Sequence, residues 1–257
     1  MKVNVYTPLQ QAVGSFENGR IIEQKPIGFP QEQEAVKGVG PLFYWAWAHA
    51  KEGGSIGLHP HKGFEIMTYV VNGLVEHGDT LGTESTVGAG GAQIMQTGSG
   101  VSHRERITGP DAEIFQIWFE PNLNEAVKRT PTYHEYNAED FPVSISSGVQ
   151  IKTIIGEGAP VQLVADVRVW DLTLEPEAEY AFTIPEGYSA AALAIRGDGL
   201  WSFGPEGTSR ALFKQKDFTV LEAEGQAETI RLVNEEQPFR MIMIQVPTEV
   251  DYPLYQR

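Results

Sequence analysis

From Phe43 onward, short apolar runs alternate with turn signals along the chain. "FYWAWAHA" (43–50), "EIMTYVV" (65–71), "AQIMQT" (92–97), "VSHRERI" (101–107) and "EIFQIWFEP" (113–121) each have the length and β-branched or aromatic content of a strand. Asn72-Gly73 stands between "EIMTYVV" and "LVEHGDTLG" and predicts a hairpin turn. Asn18-Gly19, inside "FENGR", predicts a turn between two short strands. Only "NEAVKR" (124–129) reads as helical. Residues 121–148 are polar and rich in turn formers, and then the strand rhythm resumes. It continues through "VQIKTIIG", "VRVWDLTL", "YAFTIPEG", "SAAALAIRG", "RALFKQ", "DFTVLEA", "TIRLVN" and "FRMIMIQV". Glycine-punctuated strands at this spacing argue for a sandwich or small barrel over βαβ units.

The two halves share an order. "EIMTYVVNGLVEHG" resembles "SAAALAIRGDGLWSFG": an apolar strand, a glycine turn and a second strand. "STVGAGGAQIMQTGSG" resembles "SRALFKQKDFTVLEAEG" in the same way. An internal repeat of all-β units predicts two similar barrels or sandwiches in one chain. The expected division is 1–125, a connecting segment 126–148, and 149–257.

Composition narrows the function. The 257 residues are 41% hydrophobic and 21% charged, as in an ordinary globular protein. The net charge of −15, with lysines and arginines scattered, argues against direct binding to nucleic acid. No cysteine is present, so disulfides, thiolate metal sites and cysteine nucleophiles are excluded. "MKVNVYTPLQ" has no apolar run of a signal peptide, and no stretch reaches eighteen consecutive apolar residues. The expectation is a soluble cytoplasmic protein with no membrane contact.

The chemistry concentrates in the first half, where all six histidines lie between positions 49 and 134. In "GLHPHKGFE", His59 and His61 flank a proline. Side chains alternate along a strand, so both point to one face, with Cα atoms about 6.5 Å apart. Glu65 has the same parity, unless Gly63 introduces a bulge. In "GSGVSHRE", His103 and Glu105 are again two apart. Two such pairs facing inward would assemble three imidazoles and one carboxylate, a donor set suited to Fe(II), Mn, Ni, Cu or Zn. His77 is expected to hydrogen-bond near the site rather than ligate, and His49 and His134 to be ordinary surface or core residues. Phe43, Tyr44, Trp45 and Trp47 read as packing residues. Ser102 and His103 point to opposite faces and make no nucleophile–base pair, and "GAGG" (88–91) lacks the lysine of a phosphate loop.

Gly53, His59, His61, Glu65 and Gly73 resemble the first motif of the cupin superfamily, with one extra residue before the last glycine. "HPHKGFEIMTYVVNGLVEHGDTLG" and "GAGGAQIMQTGSGVSHRE" more closely resemble the pirin family of bicupins, over residues 53 to about 120. The resemblance implies two tandem cupin barrels. It also implies one metal ion, iron(II) above all, held by His59, His61, His103 and Glu105. Glu65 is the rival carboxylate, since many other cupins use that position. The implied activity is that of a quercetinase-type dioxygenase acting on a flavonol, with Glu105 as catalytic base. The alternative it implies is a redox-dependent regulatory protein that binds a protein partner. Aligning Gly197 with Gly73 puts Thr183 and Pro185 where His59 and His61 stand, and aligning Gly199 instead puts Pro185 and Gly187 there. Neither frame supplies ligands, so the second barrel is expected to be metal-free.

Overall fold

The computed structural model describes residues 1–32, 36–234 and 237–256. The chain is built almost wholly of strands: β1 (Lys2–Tyr6), β2 (Ala12–Phe16), β3 (Ile21–Ile27), β4 (Leu42–Ala50), β5 (Gly54–His61), β6 (Glu65–Asp79), β7 (Glu84–Gly88), β8 (Ala92–Gln96), β9 (Val101–Phe119) and β10 (Thr132–Tyr136). They are followed by β11 (Val143–Ser146), β12 (Val149–Ile155), β13 (Arg168–Leu174), β14 (Glu179–Ile184), β15 (Tyr188–Arg196), β16 (Gly199–Phe203), β17 (Ser209–Phe213), β18 (Phe218–Glu222), β19 (Glu228–Val233) and β20 (Phe239–Pro247). Among the described residues one short α-helix, α1 (Leu123–Ala126), overlaps the stretch expected to be helical and starts one residue before it. Its Asn122 side chain accepts a hydrogen bond from the Asn124 N–H, and Asn122 stands at the N-cap.

Two compact units divide the chain, and they interleave in sequence. One takes in residues 11–140, 163–165 and 251–257, and the other 1–10, 141–162 and 166–250. Within the first, the strand order is β10-β8-β6-β9-β4-β3-β2, with β5 added to β9 and β7 added to β6. Within the second, one sheet runs β1-β18-β15-β20-β13-β12-β11 and another runs β14-β19-β16-β17.

The two orders match strand for strand once β6 and β9 are seen as double-length. Residues 65–69 of β6 pair with β8, and residues 74–78 pair with β7. Residues 101–107 of β9 pair with β5, and residues 112–119 pair with β4. In the second barrel the equivalent strands are cut in two, as β15 with β16 and β20 with β19. The Asn72-Gly73 hairpin is therefore a correction: β6 runs straight through it. β6 pairs with β9 on both sides of a register shift, and the Asn72 side chain donates to the carbonyls of Pro110 and Asp111. Gly73 has φ +85°, and a Cβ there would lie 2.6 Å from the Thr108 carbonyl oxygen, so glycine is required for the bend rather than for a reversal. "VSHRERI" and "EIFQIWFEP" are likewise one strand. The polar stretch 121–148 supplies two further strands, β10 and β11, where a connection was expected. Asn18-Gly19 does form the expected turn between β2 and β3.

Each barrel has its own apolar core. In the first, Ile21, Ala48, Val70, Val75, Ile107 and Ile114 meet. In the second, Phe182, Ile184, Trp201, Ile230, Leu232 and Met243 do so.

Candidate metal centre

His103 sits at the middle of a row of three strands. It is directly opposite His59 on β5 and Asp79 on β6, and the next row aligns Ile56, Glu105 and His77. A register shift between Ile56 and His59 brings the end of β5 into place and lets the His59 Nδ1–H reach the Gly57 carbonyl at 2.8 Å. That bond leaves the Nε2 lone pair of His59 free to face inward.

The three imidazoles converge. His103 Nε2 lies 3.1 Å from His59 Nε2 and 3.1 Å from His61 Nε2. Among the described residues, the ligand atoms of His59, His61 and His103 all fall within 4.8 Å of one another. Nitrogens about 2.1 Å from a shared ion at right-angled positions would stand about 3.0 Å apart, so this spacing fits a first-row metal with further positions open. Burial, with the neighbouring imidazoles, pushes both His61 and His103 down to about 3. Both rings are therefore neutral nitrogen donors at physiological pH.

Glu105 does not join this group. Its carboxylate is 2% exposed and is held by Thr68 Oγ1 at 2.9 Å, Gln93 Nε2 at 2.6 Å and Gln116 Nε2 at 2.5 Å. Burial pushes its pKa up, against the hydrogen bond from Thr68. Glu65 is turned to other partners. It accepts the N–H groups of Val164 at 2.8 Å and Ala165 at 2.9 Å and the Gln96 amide at 2.5 Å. The His77 Nε2–H donates to the Asp79 carboxylate at 3.0 Å and the ring stacks on Tyr133 at 4.3 Å, which gives His77 the expected hydrogen-bonding role. His134 is exposed and His49 half-buried.

Sequence reasoning missed Thr68, Gln93 and Gln116. Each stands alone as a polar residue inside an apolar run, in "EIMTYVV", "AQIMQT" and "EIFQIWF", and each is buried. That pattern is the available signal, because a buried amide or hydroxyl requires a polar partner. The network extends outward as Tyr133 donates to Gln93 at 3.1 Å and meets Ser85 through its hydroxyl.

The Trp118 ring stands edge-on to His61, with centroids 4.8 Å apart. Trp118 is also part of the wall of a cavity of 950 Å³, lined with it by Phe29, Phe43, Phe64, Tyr255 and Lys62.

A family model described as pirin matches residues 43–119, which contain every one of these converging histidines. Residues 43–119 are thus similar to the pirin family. Pirin-like protein 2 of Arabidopsis thaliana is 34% identical over 154 residues, which is 56% of this chain and 47% of that protein. The chain spans about half the length of the curated pirin relatives it matches. Among solved structures, a quercetin 2,3-dioxygenase from Acinetobacter baumannii superposes with a TM-score of 0.81 at 21% identity, covering 99% of this chain and 88% of that one. A bacterial pirin of Escherichia coli in complex with nickel(II) superposes with a TM-score of 0.73 at 21% identity, covering 96% and 99%. These likenesses show the fold, two tandem cupin barrels.

The second barrel can be read in register with the first. Counting from Gly73 and Gly197, the ladder that pairs His77 with Glu105 becomes Trp201 with Leu232. Leu232 then pairs with Tyr180, and Ile230 with Phe182, where His103 pairs with His59. Phe182, not Thr183, thus stands at the His59 position, because 15 residues separate Phe182 from Gly197 where 14 separate His59 from Gly73. Thr183 is exposed and bonds to Thr229 instead. Phe182, Ile184, Trp201, Ile230 and Leu232 are all buried and apolar, so the ligand positions of the first barrel are filled by core in the second.

Proposed function

We infer that the first barrel binds one divalent transition metal, iron(II), and acts as a dioxygenase of the quercetinase type on a flavonol-like substrate. The observation that carries the reading is the convergence of three imidazoles, with His103 Nε2 3.1 Å from both His59 Nε2 and His61 Nε2, beside Trp118 of an aromatic cavity. His59, His61 and His103 would hold the ion, and Glu105 would complete the set by turning from the hydrogen bonds it makes to Thr68, Gln93 and Gln116. Bound iron supplies a redox centre for dioxygen, and manganese, nickel, copper or zinc suit the same donors. The nickel(II) complex of the E. coli pirin lends support to a metal at this position.

The chain's own residues do the rest. Three neutral imidazoles and one carboxylate leave a divalent ion with a net charge of +1, which favours an anionic, deprotonated substrate. Glu105, made more basic than an ordinary carboxylate by burial, accepts the proton of the substrate's acidic hydroxyl. Thr68, Gln93 and Gln116 hold that carboxylate when it is off the metal. Lys62, at the cavity edge, adds attraction for the anion, and the aromatic walls exclude water from the approach to His61.

The test is metal analysis of the purified protein, followed by oxygen uptake with quercetin, with His61→Ala as control. The expected result is stoichiometric iron and turnover that both disappear in His61→Ala. Stoichiometric iron without turnover overturns the dioxygenase and leaves a regulatory protein that binds a partner. No metal after reconstitution overturns the ligand set.

A further inference from the structure

The cavity beside His61 has a floor and walls of different origin. Phe43, Phe64 and Trp118 belong to or adjoin the barrel strands and form its floor. Phe29 follows β3, and Tyr255 belongs to the segment that follows β20; neither lies in a strand. Each is pinned by a carboxylate. The Phe29 N–H donates to Glu32 at 2.8 Å, and Glu32 takes Lys25 at 2.6 Å. The Tyr255 N–H donates to the carboxylate of Glu120, which is fully buried, and the Tyr252 hydroxyl donates to the Glu120 carbonyl at 2.9 Å.

The Tyr255 ring is held without being buried. It meets Phe43 edge-on at 5.7 Å and Phe64 at 6.2 Å, yet 53% of the residue remains exposed. A backbone anchored on a buried carboxylate, carrying a half-exposed ring on a cavity rim, fixes the shape of the cavity more than it adds to the core.

We propose that Tyr255 is a specificity-determining residue that selects extended, multi-ring planar aromatics over single-ring ones at the approach to His61. This rests on the reading that an aromatic substrate approaches the three histidines. Trp118 and Tyr255 are linked through Phe43, which is 6.3 Å from the first ring and 5.7 Å from the second, so a fused bicycle with a pendant ring is expected to reach from one to the other where a single ring on Trp118 is not.

The test is calorimetric binding of quercetin and of catechol to the metal-loaded protein under nitrogen, so that no turnover intervenes. In Tyr255→Ala, quercetin should bind about fivefold more weakly, the scale of one lost aromatic contact, while catechol is unchanged. Tyr255→Phe should restore the quercetin affinity. Tyr255→Leu, which keeps apolar bulk, should show the same loss of selectivity as the alanine variant and replaces it if that variant fails to fold. Equal weakening of both probes, or no change in either, overturns the proposal while leaving the metal-site reading intact. Failure of the unsubstituted protein to bind either probe overturns both.

Discussion

Glu65 and Glu105 are both buried carboxylates of the first barrel, on neighbouring strands, yet their partners differ in kind. Glu65 accepts two backbone N–H groups from residues 164 and 165, and Glu105 accepts only side-chain donors. Glu65→Ala orphans two N–H groups and should destabilise the protein by about 2–4 kcal/mol in denaturant unfolding, with metal stoichiometry retained. Loss of the metal in that variant would make Glu65 the ligand. A different pH dependence belongs to Glu23, which is 3% exposed and pushed up to about 7 by burial, against the attraction of Lys25. Below pH 4.5 it is protonated in both folded and unfolded chains. Between 4.5 and 7 only the unfolded chain releases the proton, so stability falls as pH rises, by about 3 kcal/mol in all. Glu23→Gln should flatten that decline in unfolding curves taken from pH 5 to 8. The convergence of His59, His61 and His103 was legible in the sequence because two-residue spacing on a strand fixes a shared face. The offset at Thr183 was not legible, because an alignment on glycine assumes equal spacing, and only the pairing of β14 with β19 shows the extra residue.

At the scale of elements, the strands of the second half were legible nearly to the residue. Runs such as "SAAALAIRG" are apolar throughout and bounded by glycine, and β15 is buried over eight of its nine positions or partly so. What escaped was continuity. Asn72-Gly73 carries the local signature of a reversal, yet the partner strand β9 runs past it, and pairing on both sides overrides the local preference. The short polar strands β10 and β11 escaped because both are edge strands of their sheets. Gly73→Ala should therefore cost about 2–3 kcal/mol in unfolding free energy, from a φ of +85° and the close Thr108 carbonyl. Gly57→Ala is the matched control, since a Cβ there meets nothing within 4 Å, and it should change stability by less than about 1 kcal/mol.

At the scale of the whole molecule, two barrels of one strand order have opposite interiors. That residues 1–10 pair with β18 and that residues 163–165 and 251–257 return to the first unit left no local mark, because such contacts span long stretches of sequence. A fragment of residues 11–140 lacks the N–H groups that satisfy Glu65 and the segment anchored on Glu120. It should unfold at a lower denaturant midpoint than the first barrel does in the intact chain. Among the described residues, no helix is long and apolar enough to cross a membrane. The apolar plug of Phe182, Ile184, Trp201, Ile230 and Leu232 also determines how mutations in the two halves announce themselves. A damaging change among the histidines leaves a protein that accumulates normally and fails in an assay of its chemistry. A damaging change in the plug lowers the amount of protein in the cell before any chemistry is measured. A screen that reads abundance alone would thus register changes in the plug and miss those among the histidines.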